Sequence, residues 1–520
     1  MDLLARVAHL RKTDKVTLLE KEFVILEDKS EQCVGLYRTY HILGHEVLFR
    51  ATEITLQETK TVAEIEILAK GYAISNNDPA GSCVVDGSDC DTNNYPVALI
   101  GPEVYGGPAS IVIGAETSAN GNHSIALGIR CTADASYSRA IGNLSKALGY
   151  QTTAIGFDAE ASGTRAIALG NYISSTGSSS ITIGTRSYSK FTNSIAIGNN
   201  LLADNSKAIS LGSDNISYGI NSITLGSNNI VYTDKGIALG INNINHINSI
   251  NSITLGASCE TKGNNSIAMG YLCNTDGSSA MAIGYANKAT GLASFVEGSG
   301  STAQGDYSIA MGYNNHAKQN SSFAQGSGST ARDEYSIAMG NGAMARGKNS
   351  IAIGEAAQTN KDNCIALGNA ANAYETGSFA QGKASSATGI YSIAMGTHTY
   401  AVGDYSISLG WKNHTYGMAS TVIGTDSTAN GDYSIAMGIN CTTIGIASIA
   451  EGSGSVASGV YSIAMGDNCI AGGKYSTAMG NICHASGDYS FAIGDENNIK
   501  GNLSSAMGSQ NTVNGVGSSA

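Results

Sequence analysis

The chain has 520 residues, a formal net charge of −12 at pH 7 and only 13% charged residues. An acidic chain with so few basic residues is unsuited to binding nucleic acid, which depends on displacing counterions from phosphates. No stretch is apolar over the thickness of a bilayer, so we expect no insertion into a membrane.

Residues 1–75 differ in composition from the rest of the chain and are expected to form a separate domain. Charged residues number 26 in the first 100 positions and 44 in the other 420. Residues 3–10 are weakly helical in pattern, whereas residues 15–26, 37–49 and 62–69 are rich in Val, Ile, Leu and Tyr and partly alternate, as strands do. We predict a small, mainly β domain that caps the following part of the chain or attaches it to another component.

Residues 76–108 have the composition of a linker. They are rich in Pro, Gly, Asp and Asn, which favour turns and loops. They also contain all four prolines, which are Pro79, Pro96, Pro102 and Pro108. Because proline cannot donate a hydrogen bond to a β-ladder, its absence after residue 108 suits an uninterrupted stack of strands.

Residues 109–520 are organised by a glycine that recurs every fourteen residues and that we call the closing glycine. Ten closing glycines run in register from Gly114 to Gly240 and nineteen from Gly256 to Gly508, with one slip of two residues at 241–255. A short, strict period over such a length predicts a solenoid whose units contact only their neighbours. The sequence therefore predicts an all-β rod of 29 short coils.

Each unit carries signals for two strands and two turns. In the pentad at 462–466, Ile and Met alternate with Ser and Ala, which is the period of a strand with one buried face. We take the Ile and Met side to be the buried one. A second glycine seven residues before many closing glycines, such as Gly459, is expected to adopt a positive φ and to form the second turn.

Units such as Asn-Ser-Ile-Ala-Ile-Gly at 349–354 resemble the head repeats of YadA-type trimeric adhesins, and the resemblance extends over about four fifths of the chain. It implies a left-handed parallel β-roll of 14-residue coils that assembles as a homotrimer. A trimer is also reasonable physically, because a thin coil cannot by itself keep a row of Ile and Met away from water. The sequence shows no match to the export signal, coiled-coil stalk and membrane anchor of the bacterial members.

The repeats also resemble those of bacteriophage tail fibres and receptor-binding proteins, which implies a function in host attachment. We expect a trimeric virion fibre, assembled in the host cytoplasm, whose residues 1–75 bind a tail or baseplate component. Its rod is expected to bind a glycan or protein of the host surface. We further expect that a self-cleaving C-terminal chaperone of the endosialidase type is removed after Ala520.

Two other classes of protein remain open. The first is a bacterial trimeric adhesin or surface filament, located at the bacterial cell surface. The second is a polysaccharide-degrading tailspike, which would need paired carboxylates that converge on a cleft.

The sequence otherwise indicates a binding protein and not an enzyme. No phosphate-binding loop, nucleophile elbow or cysteine-pair metal motif is present, so we expect no catalytic residue, cofactor or metal. Six cysteines share the position three after a closing glycine and are interpreted as small buried fillers, although neighbours could crosslink. They are Cys131, Cys259, Cys273, Cys441, Cys469 and Cys483.

Receptor contacts are expected in exposed turns. The residue after the closing glycine is aromatic at five positions, where it could stack on a sugar ring or anchor a protein contact. These predicted contacts are Phe157, Tyr271, Tyr285, Tyr313 and Trp411. A second column, five before the closing glycine, contains several tyrosines, and we interpret it as structural.

Four polar residues replace the apolar residue directly before a closing glycine. They are Glu297, Gln325, Gln381 and Glu451. If this position faces inward, three copies meet near the axis of the trimer. There they would either hold an ion or water, or form a polar plug that fixes register at some cost in stability.

Overall fold

The computed structural model describes the backbone of residues 23–27, 34–42, 45–50, 74–75, 83–86, 98–100 and 104–520, and the side chains of Leu99 and residues 104–520. The chain divides into two compact units, Met1–Ser227 and Asn228–Ala520. The helix predicted at 3–10, the strand predicted at 62–69 and most of the strand predicted at 15–26 lie outside the described residues.

The described part of the N-terminal region is an antiparallel sheet. Strands β1 (Phe23–Glu27), β2 (Val34–Ile42) and β3 (His45–Arg50) lie in the order β1-β2-β3. Strands β2 and β3 form a hairpin in which Tyr40 lies opposite Val47. The strand predicted over 37–49 is therefore two strands. The division of the chain at residue 75 remains a prediction.

A parallel ladder begins before the first closing glycine. Strand β4 (Ile74–Ser75) pairs antiparallel with β5 (Cys83–Asp86), β5 pairs in parallel with β6 (Ala98–Ile100), and β6 pairs with β8 (Ile111–Ala115). Strand β7 (Val104–Gly106) pairs with β9 (Thr117–Ala119) in the same direction. Part of the stretch predicted as a linker thus belongs to the ladder. All four prolines lie outside these strands, so none of them interrupts the pairing.

Each coil of the solenoid contains a long strand built on the pentad that holds the closing glycine. In the first unit, after β8, the long strands are Ile125–Ile129, Arg139–Asn143, Thr153–Ala161, Ile167–Ser175, Ile181–Thr185, Ile195–Asn199, Ile209–Ser213 and Ile223–Ser227. In the second unit they are Ile237–Ile241, Ile253–Ala257, Ile267–Tyr271, Met281–Tyr285, Phe295–Ser299, Ile309–Tyr313, Phe323–Ser327, Ile337–Asn341, Ile351–Ile353, Ile365–Leu367, Phe379–Gln381, Ile393–Thr397, Ile407–Trp411, Thr421–Thr425, Ile435–Ile439, Ile449–Ser453, Ile463–Asp467, Thr477–Asn481, Phe491–Asp495 and Ser505–Ser509.

A short strand of two residues, four and five after the closing glycine, completes most coils, as at Ile470–Ala471. It is continuous with the long strand at Thr153–Ala161 and Ile167–Ser175. Long strands pair with long strands and short with short, in parallel and with a shift of fourteen residues, so that Gly466 lies beside Gly480 and Ala471 beside Ala485. The predicted all-β parallel solenoid with 14-residue coils is confirmed.

The slip at 241–255 does not disturb this register. Ile237 lies beside Ile253, and Gly240 beside Gly256. The two extra residues instead form an additional turn, in which the N–H of Ser249 donates to the carbonyl of His246 (2.9 Å) and the N–H of Ser252 to the carbonyl of Ser249 (3.1 Å). The irregularity is therefore confined to a turn between strands.

The interior of the coil is made of small side chains. In the pentad at 462–466, Ser462 and Ala464 are fully buried, whereas Ile463 and Met465 are only half-buried and point outward. The Ile and Met side is therefore not buried within a single coil, and it needs a partner to exclude water. Two strands joined by such short turns lie close together, so most positions inside are Ala, Ser, Thr, Val, Cys or Asn, and larger buried side chains such as Ile173, Leu201 and Ile499 are few.

The closing glycine and the second glycine both allow close contact with the backbone of the next coil, but only the closing glycine adopts a positive φ. A Cβ on the closing glycine Gly340, whose φ is +139°, would lie 2.3 Å from the carbonyl oxygen of Gly354. A Cβ on Gly459 would lie 1.9 Å from the carbonyl oxygen of Gly473, but Gly459 has no positive φ. Gly459 lies in the predicted second turn, where its carbonyl accepts the N–H of Ser462 (3.2 Å), but the prediction of a positive φ at this glycine was wrong. Two other positions per coil adopt the left-handed conformation instead, represented by Tyr461 and Asn468 with φ of 56° and 50°.

Buried polar side chains connect successive coils. The amide of Asn413, three after a closing glycine, donates to the carbonyls of Leu409 (2.6 Å) and Gly424 (2.8 Å) and accepts from the N–H of Ser427 (3.0 Å). The cysteines of this column are free and buried, and the thiol of Cys469 donates to the carbonyl of Gly480 at 3.2 Å. Such bonds satisfy groups that would otherwise be costly to bury.

Candidate attachment surface

Each coil presents four outward surfaces, which we name by position. The long-strand face holds the residues one and three before the closing glycine. The first turn holds the two residues after it. The short-strand face holds the residues four and six after it, and the second turn holds the residues from seven to nine after it.

The long-strand face is an apolar row that is unusually exposed for Ile, Met and Leu. Ile197 in the first unit is 40% exposed, and Met395 and Ile423 in the second are 37% and 42% exposed. Ile463 and Met465 show the same half-buried state in an ordinary coil. In a single chain, one side of every long strand is thus only partly shielded from water.

The four predicted axial residues lie on this long-strand face, outside the coil interior. Glu297 is exposed between Ile283 and Met311, and Gln325 is half-buried between Met311 and Met339. The same holds for an exposed Gln381 and a half-buried Glu451. Their place at a trimer axis remains a prediction. It requires side chains that point out of their own coil, as these four do.

The structure brings together two of the five predicted receptor contacts. On the first turn, the rings of Tyr271 and Tyr285 stack with centroids 5.4 Å apart and planes inclined by 18°. Both rings are exposed, as is that of Tyr313. Tyr313, however, lies between Ser299 and Ser327 and has no aromatic neighbour in its column.

Phe157 and Trp411 stand apart from the other three. Phe157, in the first unit, is half-buried and meets Tyr172 edge to face at 5.0 Å. Trp411, in the second unit, is exposed between Thr397 and Thr425, and the ammonium of Lys412 lies 4.2 Å from its ring centroid. Trp411 therefore offers an isolated aromatic surface beside a cation. The role of all five residues in receptor binding remains a prediction.

The tyrosines of the second turn form a stacked column. The rings of Tyr461, Tyr475 and Tyr489 follow one another at 5.0 Å, with planes inclined by 5° and 15°. Each residue has a positive φ, which is unusual for a bulky side chain. Because the ring faces stack on one another, mainly ring edges and hydroxyls remain for solvent.

A paired charge network occupies one part of the short-strand face. Lys262 lies 3.3 Å from both Glu260 and Asp276, and Lys288 lies 3.6 Å from Asp276. Partial burial lowers the pKa of Lys262, but the carboxylates of Asp276 and Glu260 outweigh this effect and raise that pKa above its ordinary value. Opposite charges on successive coils neutralise one another here.

A second part of the same face carries only positive charge, which was not predicted from the sequence. Lys318, Arg332 and Arg346 occupy the position six after the closing glycine in three successive coils, and His316 lies four after it. Neighbouring charges at the spacing of parallel strands repel one another by roughly 1 kcal/mol in water. The signal was basic residues at 14-residue intervals, which a net charge of −12 conceals. We call these four residues the cationic ladder.

The described residues show no centre for metal or catalytic chemistry that could define a different kind of site. Within them, no three His, Cys, Asp or Glu side chains are grouped so that they could hold a metal ion. Among the same residues, no helix has the length and apolarity needed to cross a bilayer.

The solenoid, with its small-residue interior and its repeated outward faces, defines an all-β repeat protein of the parallel solenoid class. Eleven segments match the family model described as the YadA head domain repeat (2 copies), at residues 106–129, 133–159, 147–172, 175–200, 298–315, 317–343, 345–371, 387–413, 416–440, 444–468 and 471–497. No curated protein matches the chain. The matched segments cover more than half of the 520 residues, and the chain belongs to the YadA head-repeat family. The repeats point to a trimeric adhesin-like fibre, and the resemblance to YadA-type head repeats is confirmed.

Proposed function

We propose that this protein is a homotrimeric virion fibre, a phage tail fibre or receptor-binding fibre, that attaches the particle to its host cell. The observation that carries the proposal is the half-exposed apolar long-strand face. Covering it with two further copies would stabilise the assembly by about 1 kcal/mol for each half-exposed Ile or Met. Because the face repeats over many coils, a modest stabilisation per side chain adds up to a strong association of the three chains.

The trimer is tested by the mass of the full chain in solution. Light scattering after size exclusion is expected to give three times the 53.2 kDa of one chain. A mass of one chain at micromolar concentration would contradict the proposal, because the long-strand face would then be stable in water.

The virion is proposed as the particle that carries the fibre, with residues 1–75 bound to a tail or baseplate component. Support comes from the antiparallel sheet of β1, β2 and β3, which departs from the repeat and suits a separate attachment role. Mass spectrometry of purified virions is expected to detect the chain. Detection on a bacterial surface and not in virions would favour the alternative, a bacterial adhesin or filament.

Receptor binding is proposed for the aromatic residues of the first turn, with a glycan or protein of the host surface as the partner. Trp411→Ala removes an exposed indole without touching the coil interior, so we expect adsorption to host cells to fall while thermal stability is unchanged. Ile439→Ala, on the first turn two coils further along and also exposed, is the matched control. Equal adsorption of the two variants would contradict a role for Trp411.

A polysaccharide-degrading tailspike is the remaining alternative. Incubation of the protein with host capsule or lipopolysaccharide separates it from a binding fibre, because only an enzyme shortens the chains. We expect no shortened products by size-exclusion analysis.

A further inference from the structure

The cationic ladder places cations on successive coils of the short-strand face, with no carboxylate partner on that face. Neither Lys318 nor Arg332 has a side-chain hydrogen bond or ion pair with any described residue, and both are exposed. On the same face, Lys262 and Lys288 are held by Glu260 and Asp276. Cations without an ion pair, grouped on one face of an otherwise acidic chain, indicate a surface that binds a negatively charged partner.

The ladder has a regular geometry. The N–H of Lys318 donates to the carbonyl of Ala331 (2.9 Å), and the N–H of Arg332 to that of Ala345 (2.7 Å), so the three residues lie on adjacent rungs. Rungs of a parallel ladder are about 4.8 Å apart. The cations therefore form a line parallel to the stacking direction of the coils.

The groups beside the ladder are amides, or carboxylates that already accept a hydrogen bond or form an ion pair. Arg346 donates from Nη1 to the side-chain oxygens of Gln358 (3.2 Å) and Asn360. The nearby carboxylate of Glu334 pairs with Lys348 at 2.7 Å, and that of Asp333 accepts the N–H of Glu334 at 2.8 Å. The polar oxygens and amides leave hydrogen-bonding groups for a hydroxylated ligand.

The histidine of the ladder, His316, has a pKa that is lowered below its ordinary value, first by burial and then by the charge of the neighbouring Lys318. His316 is therefore mostly neutral at pH 7, and it can donate or accept a hydrogen bond beside the cations.

We propose that the cationic ladder binds an acidic polysaccharide, a glycan chain with regularly spaced carboxylate or sulfate groups, laid along successive coils. This inference rests on the proposed attachment function and names a class of receptor for it. Guanidinium and ammonium groups bind such anions by charge-assisted hydrogen bonds, and Arg does so in a bidentate manner.

A polysaccharide fits this surface better than nucleic acid or an anionic membrane. Nucleic acid requires many phosphate contacts and a broad basic surface, whereas the ladder is one residue wide and the chain has a net charge of −12. An anionic membrane attracts clusters of four to eight basic residues together with apolar anchors. A single line of cations beside amide side chains suits one extended, hydroxyl-bearing chain.

The test compares two double variants of the full chain that remove the same charge from the same face. Lys318→Gln with Arg332→Gln removes the unpaired cations, and Lys262→Gln with Lys288→Gln removes paired ones. Binding of heparin, a sulfated and carboxylated polysaccharide, is measured by titration calorimetry or biolayer interferometry, with dextran as the uncharged control. We expect the first variant to lose at least about tenfold in heparin affinity and the second less than about twofold.

Two other anionic ligands test whether the ladder prefers a glycan. A duplex DNA oligomer and phosphatidylglycerol vesicles are expected to bind more weakly than heparin, and equal or tighter binding would overturn the assignment to a glycan. Equal loss in both variants, or heparin binding no tighter than dextran, would also overturn it.

Solution mass and host-cell adsorption, measured on the same proteins, separate this inference from the proposed function. A trimer that adsorbs to cells without binding heparin refutes the ladder and leaves the attachment function standing. A protein that is neither trimeric nor adsorbed refutes the attachment function itself.

Discussion

The two sides of a long strand accept very different residues, although they belong to the same pentad. Inside the coil, the position two before the closing glycine is only Ala, Ser, Thr or Val and is fully buried. Outside, the position directly before the closing glycine is Met, Ile or Leu, or one of four Glu and Gln residues. Inside the coil, the facing strand limits the size of the side chain. On the outer side, the size is limited only by whatever packs against the strand. Substitutions should therefore differ sharply between the two sides.

The largest effect is expected at a closing glycine. In Gly340→Ala, the new Cβ would lie 2.3 Å from the carbonyl oxygen of Gly354 at a φ of +139°, so we expect a loss of roughly 3 kcal/mol or more in the free energy of unfolding. Gly342→Ala is the control, because Gly342 has a φ of +65° and nothing within 4 Å of its Cβ position; it should cost about 1 kcal/mol. Thermal unfolding by circular dichroism measures both, and equal losses would contradict steric control by the neighbouring coil.

A smaller loss is expected from overpacking the interior. Ala338→Leu places a larger side chain where exposure is 0% and should cost about 1–3 kcal/mol. Met339→Leu, the next residue but on the outer side, should cost less than about 1.5 kcal/mol. If denaturant unfolding shows both variants to be alike, the assignment of the two sides is wrong.

The outer side should become sensitive only in the assembled protein. Met395→Lys is expected to cost about 1–2 kcal/mol per chain when copies pack on the long-strand face, because a charge would then be buried. Ile439→Lys, on the exposed first turn, should change stability by less than about 0.5 kcal/mol. Thermal midpoints at a series of protein concentrations test this, and a Met395→Lys variant that matches wild type throughout would argue against a partner on this face.

The smallest effect should appear in the tyrosine column. Tyr433 has a φ of 58°, and replacement by Asn, which tolerates this conformation, should raise stability by up to about 1 kcal/mol. Tyr475→Asn also removes two stacking contacts at 5.0 Å, each worth about 0.5–1.5 kcal/mol, so its net effect should be near zero or destabilising. A larger gain at Tyr475 than at Tyr433 would show that the stacking contributes nothing.

The period of the sequence was sufficient to predict the coil, its strands and the position of the slip at 241–255. The alternation of Ile and Met with Ser and Ala predicted two faces, but not which of them lies inside, because that depends on the distance between strands. That distance is set by the turns, where Tyr461 and Asn468 take the positive φ that had been assigned to Gly459. Local residue preferences did not reveal this, since bulky residues rarely adopt that conformation.

The candidate surface was predicted less completely than the fold. Aromatic residues of the first turn stand out one at a time, so Tyr271 and Trp411 could be chosen from the sequence. The cationic ladder depends on residues fourteen apart becoming neighbours, and on carboxylates being absent from the short-strand face of the adjoining rungs. Neither property is visible along the chain until the column of the coil is known.

The extra turn at 246–252 shows how this architecture can accept new sequence. Two additional residues leave Ile237 beside Ile253 and the neighbouring coils in register, so the backbone tolerates a length change there without strain being passed to the strands. A peptide epitope, an affinity tag or a fluorophore-labelling sequence inserted at this turn would be displayed at a defined level of the stack. The same tolerance offers natural variants a way to add surface loops while the repeat itself stays unchanged.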